Sequence, residues 1–155
     1  VLDVTDPSAI SVVSGAATNL PGTQDSRALY LLGNRLYLGR DSVTAGGSDL
    51  YALDASKTLH ATSGLPVMQH VDVATKTSVG RHVAGIRASG PYLFVLTSNT
   101  TGSIAQLEVR DPNTLQQKGN AYAFSRAVLR GIDLEDELVY ILSLDAPGLR
   151  ALKSI

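Results

Sequence analysis

The chain contains no cysteine, which excludes disulfides, thiolate metal sites and cysteine nucleophiles. It also lacks an excess of either charge. Thirteen Lys and Arg residues stand against 14 Asp and Glu, for a net charge of −1. With no basic surplus to displace counterions, a nucleic-acid binder working by bulk electrostatics is excluded. No apolar run reaches the roughly 18 residues that a membrane-crossing helix needs. Helical periodicity sustained over about 11 residues is scarce. Charged residues make up 17% and hydrophobic residues 44% of the 155 positions. That balance excludes an ordinary disordered tail, and the length suits one domain burying roughly 70% of its unfolded surface.

Catalytic signatures are missing too. There is no Gly-x-Ser-x-Gly elbow. Gly85-Ile86-Arg87-Ala88-Ser89-Gly90 lacks the Lys-Ser/Thr of a phosphate loop and leads into a strand pattern instead of a helix. His60, His70 and His82 show no His-x-x-x-His spacing, whereas zinc needs about three ligands converging; they are expected as solvated or hydrogen-bonded surface histidines. Oxygen ligands occur from Asp41 to Asp49 and at Asp133, Glu135, Asp136 and Glu137. They do not follow the alternating acids, central Gly and terminal Glu of an EF-hand. A solvated acidic turn is expected there, with calcium as the alternative, and no other cofactor. Asn99-Thr100-Thr101 fits a glycosylation acceptor triplet, a pattern that chance supplies often.

What is present is a hydrophobic period of two. Arg35-Leu36-Tyr37-Leu38, Tyr92-Leu93-Phe94-Val95-Leu96 and Leu138-Val139-Tyr140-Ile141-Leu142 are short and aliphatic or aromatic. Gly33-Asn34, Gly46-Gly47, Gly90-Pro91, Thr101-Gly102, Asp111-Pro112 and Pro147-Gly148 punctuate the chain. This is the signature of an all-β chain of many short strands. Both ends, Val1-Leu2-Asp3-Val4 and Leu149-Arg150-Ala151-Leu152, read as strands, so a processed product or an excised piece is expected.

A four-strand phrase recurs. Its third strand is Val1–Val4, then Leu50–Asp54 or His70–Val73, then Leu107–Arg110, followed by a strand at Ile10–Val13 in the first copy and at Ala121–Phe124 in the last. Its inner strands are Arg27–Leu32 with Arg35–Leu38, Val83–Ile86 with Tyr92–Val95, and Val128–Ile132 with Leu138–Ile141. Asp6-Pro7 and Asp111-Pro112 suit the turn toward the outermost strand. Thr114–Lys118 and Lys57–His60 suit that outer strand, being more polar. Leu93 and Leu138 stand 45 positions apart, and Leu36 and Leu93 stand 57. An interval of about 40–50 residues suits a four-stranded propeller blade; the longer one calls for an insertion, placed between Leu65 and Val79. The expected architecture is β-propeller-type, with about three four-stranded antiparallel blades forming an arc of a larger ring. The units are 1–41, 42–98 and 99–145, with 146–155 starting the next strand.

These residues carry a resemblance. Val1-Leu2-Asp3-Val4-Thr5-Asp6-Pro7, Leu107-Glu108-Val109-Arg110-Asp111-Pro112 and Gly33-Asn34-Arg35-Leu36-Tyr37-Leu38 resemble the LVIVD-type repeats of bacterial and archaeal surface β-propellers. The third copy departs, with Glu135-Asp136-Glu137 in place of Gly-Asn. The resemblance implies a secreted or cell-surface protein without enzymatic activity.

Arg81 and Arg126 are also 45 apart and precede inner strands, with Arg27 and Arg130 similarly placed. Converging guanidinium groups would grip a carboxylate or phosphate bidentately; the competing expectation is that each arginine pairs with a loop acid or a carbonyl. The expected function is a non-enzymatic extracellular module for protein binding, adhesion or assembly. Its partners would be a protein, a surface glycan or a second copy joined through open sheet edges. The alternative is an arc of a metal-dependent propeller hydrolase or lactonase.

Overall fold

A computed structural model describes residues 2–3, 6–12, 20, 24–41, 48–59, 66–99, 104–125, 129–136, 138–143 and 149–153. All its regular elements are strands. In chain order they are β1 (Leu2–Asp3), β2 (Ser11–Val12), β3 (Ser26–Leu32), β4 (Arg35–Arg40), β5 (Leu50–Leu59), β6 (Pro66–Thr77) and β7 (His82–Ser89). There follow β8 (Tyr92–Ser98), β9 (Ile104–Arg110), β10 (Tyr122–Ser125), β11 (Leu129–Glu135), β12 (Leu138–Ser143) and β13 (Leu149–Lys153).

Each strand pairs antiparallel with its neighbour in sequence. The first sheet is β3-β4-β5-β6, the second β7-β8-β9-β10 and the third β11-β12-β13, with β1-β2 a short pair. The units 1–41, 42–98 and 99–145 are phrases of sequence, and each straddles two sheets. The expected outer strand at Thr114–Lys118 is instead a turn with one bridge, Arg110 to Gln117; Tyr122–Ser125 holds the outer place beside β9. Likewise Lys57–Leu59 continues β5, and the extra length of the second unit lies in the long β5–β6 hairpin. His60 lies outside the described residues.

The sheets stack in chain order because a strand with period-two apolar residues on both faces needs cover on both. Leu93 to Ser98 in β8 are all buried. Its odd-numbered Leu93 and Val95, with Val83 and Ile86, pack against Tyr37, Leu50 and Ala52 of the first sheet. Its even-numbered Phe94 and Leu96, with Ala105, Leu107 and Phe124, pack against Ile132, Val139 and Ile141 of the third. Each buried Val, Leu, Ile or Phe among them contributes roughly 1.5–3 kcal/mol by leaving water. The approach of the sheets is close at the inner strands. A Cβ added at Gly85 would lie 2.6 Å from Ile132 Cγ2, and one at Gly39 would lie 2.3 Å from Val83 Cγ1.

Register repeats from sheet to sheet. The hairpin closes at Leu32–Arg35, Ser89–Tyr92 and Glu135–Leu138. The first loop residue has positive φ each time, at Gly33 (59°), Gly90 (55°) and Asp136 (51°). Glycine adopts that region freely and Asp tolerates it, so the divergent third turn opens on the same backbone conformation at Asp136. Leu93 therefore answers Val139, 46 positions on, and not Leu138. A one-residue slip changes faces: Leu93 and Val139 are buried and Leu138 is exposed.

The Asp111-Pro112 turn ties two sheets together. Asp111 Oδ1 accepts from the amides of Asn113 (2.9 Å) and Thr114 (3.0 Å), and these bonds hold its pKa below the usual carboxylate range. Tyr37 of the first sheet donates its hydroxyl to the Pro112 carbonyl at 3.0 Å, while Leu115 is buried against the same sheet.

Candidate functional site

The inner strands β3, β7 and β11 are the edges of their sheets, and residues from all three line one cleft. Each carries a bulge at the same register: between Ser26 and Ala28, Val83 and Gly85, and Leu129 and Gly131. The unpaired residues are Arg27, Ala84 and Arg130. Bulges bend an edge strand and redirect a side chain. Here they border a cleft of about 190 Å³ lined by residues 27–29, 84–87 and 131–132.

Three residues past each bulged residue, one register position forms a row across the inner strands: Tyr30, Arg87 and Asp133. Each pairs with the equivalent residue of its hairpin partner, Tyr37, Phe94 and Tyr140. The Arg87 guanidinium carbon lies 5.6 Å from the Tyr30 ring centroid, within cation–π range. Its Nε donates to Asp133 Oδ1 at 3.1 Å and Nη1 donates to its neighbour's carbonyl, Ile86 O, at 2.9 Å. The hydrogen bond from Arg87, with a smaller contribution from the Leu134 amide, lowers the Asp133 pKa. Asp133 is well exposed, so its pairing with Arg87 contributes little to stability.

The four arginines singled out in the sequence fare differently. Arg27 lines the cleft, but Nε and Nη2 hold both oxygens of Asp41. His82 Nδ1 approaches the same carboxylate at 2.7 Å. The Arg27 hydrogen bond keeps the Asp41 pKa below the ordinary value. Arg81 is turned between strands: it donates to Thr97 Oγ1 at 3.2 Å, Glu108 Oε1 at 2.9 Å and Gln106 Oε1. Arg130 sits at the third bulge, its side chain outside the described residues. Arg126 also lies outside them.

Glu108 is buried and makes a second set of contacts. Arg110 Nε reaches Glu108 Oε2 at 2.8 Å, and Arg110 Nη1 donates to Leu115 O at 2.6 Å. Two arginines thus flank one buried carboxylate beside the packing of the first two sheets. Sequence reasoning passed over Glu108, Arg110 and Arg87. The available signal was opposite charge two residues apart within Leu107-Glu108-Val109-Arg110, which places both on one strand face.

Asp49 is buried rather than in a solvated turn. It accepts from the amides of Val79 (2.6 Å) and Gly80 (3.1 Å), while loss of solvent raises its pKa. Among the described residues no three His, Asp or Glu side chains gather as a metal site. No helix there is long and apolar enough to cross a membrane. Compared with family models, curated proteins and solved structures, the chain shows no match.

Proposed function

We propose that the chain is a propeller-type, non-enzymatic module for binding and assembly, displayed outside the cell or on its surface. One observation carries the reading: three inner strands repeat the same bulge and the same turn in one register around a common cleft. Edges arranged this way suit blades around an axis, with a ligand gripped at the axial face. The likeness of Val1–Pro7 and Leu107–Pro112 to LVIVD-type surface repeats supports the same reading and its location.

The ligand chemistry is a carboxylate-bearing protein loop or surface glycan, taken by Arg87 in exchange for Asp133. The test is an NMR titration with a hexaglutamate peptide and with a uronic-acid oligosaccharide. Shifts confined to residues 27–29, 84–87 and 131–133, and lost in Arg87→Gln, support the proposal. Absence of shifts at the cleft with both probes overturns it. So does turnover of a lactone or phosphoester on adding divalent metal, the behaviour of a hydrolase arc.

A further inference from the structure

The internal register says which faces of the stack want a neighbour. Leu29 of the first sheet, Ile86 of the second and Ile132 of the third occupy one position of the inner hairpin. Ile86 is 1% exposed and Ile132 is 5% exposed, each covered by the preceding sheet, but Leu29 is 61% exposed. At the opposite end Leu142 holds the place of Leu96. Leu96 is 0% exposed, packed in one cluster with Ile132 of the next sheet, whereas Leu142 is 50% exposed. Tyr140 likewise stands where Phe94 stands. At these inner-strand positions the two outer faces therefore carry the two halves of an interface that the molecule already makes between its second and third sheets; farther out on the first sheet, Tyr51 and Leu53 are already buried with Leu20.

We infer that a second copy of this chain covers these faces. Leu142 and Tyr140 of one copy lie on Leu29 of the other, as Leu96 and Phe94 lie on Ile132 within the chain. The contact is head to tail, and two copies close it into a ring of about six sheets, within the four to eight of known propellers. It differs from edge pairing, which is isologous and uses backbone groups. The inference deepens the assembly half of the proposed function and rests on that reading's register, not on its ligand.

The experiment is complementation by sedimentation velocity on the whole chain. The unaltered chain sediments as a dimer. Leu29→Glu and Leu142→Glu each sediment as monomers, with self-association weakened about tenfold or more by an unpaired charge in an apolar contact. Mixed in equal amounts, the two variants form a one-to-one dimer, because the mixture retains one intact pair of faces. If either glutamate variant loses its cooperative thermal transition, Leu29→Thr and Leu142→Thr replace it, with the same pattern expected. A monomeric unaltered chain overturns the inference. So do variants that dimerise unmixed, as edge pairing demands, or folded variants that stay monomeric when mixed. Cleft titration of the Leu142→Glu variant, whose substitution lies outside the cleft lining, reads the ligand proposal separately.

Discussion

Replacing Glu108 with glutamine keeps the shape of the side chain and removes its charge. Glu108 is fully buried, and its Oε2 lies 2.6 Å from Arg110 Nη2, itself only 8% exposed. Arg81 approaches the other oxygen at 2.9 Å but keeps 26% of its side chain exposed. In Glu108→Gln the Arg81 charge recovers hydration while the Arg110 charge stays buried without an anion. Breaking a buried pair in this way costs about 3–5 kcal/mol, a large part of the roughly 5–15 kcal/mol that holds a domain together. Arg81→Met costs less, about 1 kcal/mol after screening, because Arg110 still neutralises the carboxylate. The first sheet suggests the control. In its register Tyr51 and Leu53 occupy the places of Glu108 and Arg110, so these positions accept apolar residues. Glu108→Leu with Arg110→Leu therefore recovers most of the loss, as replacing a whole buried ion pair often does. Urea unfolding followed by circular dichroism measures all three. A Glu108→Gln variant within about 1 kcal/mol of the unaltered chain refutes the reasoning.

Gly85→Ala places a methyl against Ile132 and costs about 1–3 kcal/mol by overpacking; urea unfolding shows the same substitution costing much less when measured against an Ile132→Ala background. Asp136→Gly relieves a positive φ and raises stability by up to about 1 kcal/mol, read as a higher melting temperature. Arg27 holds the Asp41 pKa below its unfolded value, so the pair adds stability above about pH 4 and loses it as pH falls through the depressed folded value. Asp41→Asn accordingly flattens the acid limb of the urea midpoint plotted against pH.

The strands were legible because their period is two and their turns are marked by Gly-Asn, Gly-Pro and Asp-Pro. Leu36 and Leu93 match in sequence and in register. The third unit slipped by one residue because Asp136-Glu137 bears no likeness to Gly33-Asn34 and leucine was matched to leucine. The closing pair Glu135–Leu138 and the positive φ at Asp136 reveal the shared turn. That slip joined Arg81 to Arg126 as a pair. The outer strand was misplaced because polar Thr114–Lys118 satisfies the pattern, whereas its backbone is taken up by the Asp111 turn, with Leu115 donating to the Asp111 carbonyl at 2.9 Å. Arg87 went unnoticed because its partners, Tyr30 and Asp133, lie in different sheets, and no local spacing encodes that row.

Adjacent sheets stack through their inner strands in one register. A cysteine-free chain permits a direct measurement: disulfide trapping of Gly85→Cys with Ile132→Cys, whose ideal Cβ at residue 85 lies 3.5 Å from Ile132 Cβ, within disulfide reach. Mild oxidation of the folded protein is expected to close the bond and raise stability by about 4 kcal/mol. Gly85→Cys with Asp133→Cys, one residue along, stays reduced. Failure of the first pair to close in the folded chain, or equal closure of the second, contradicts the account.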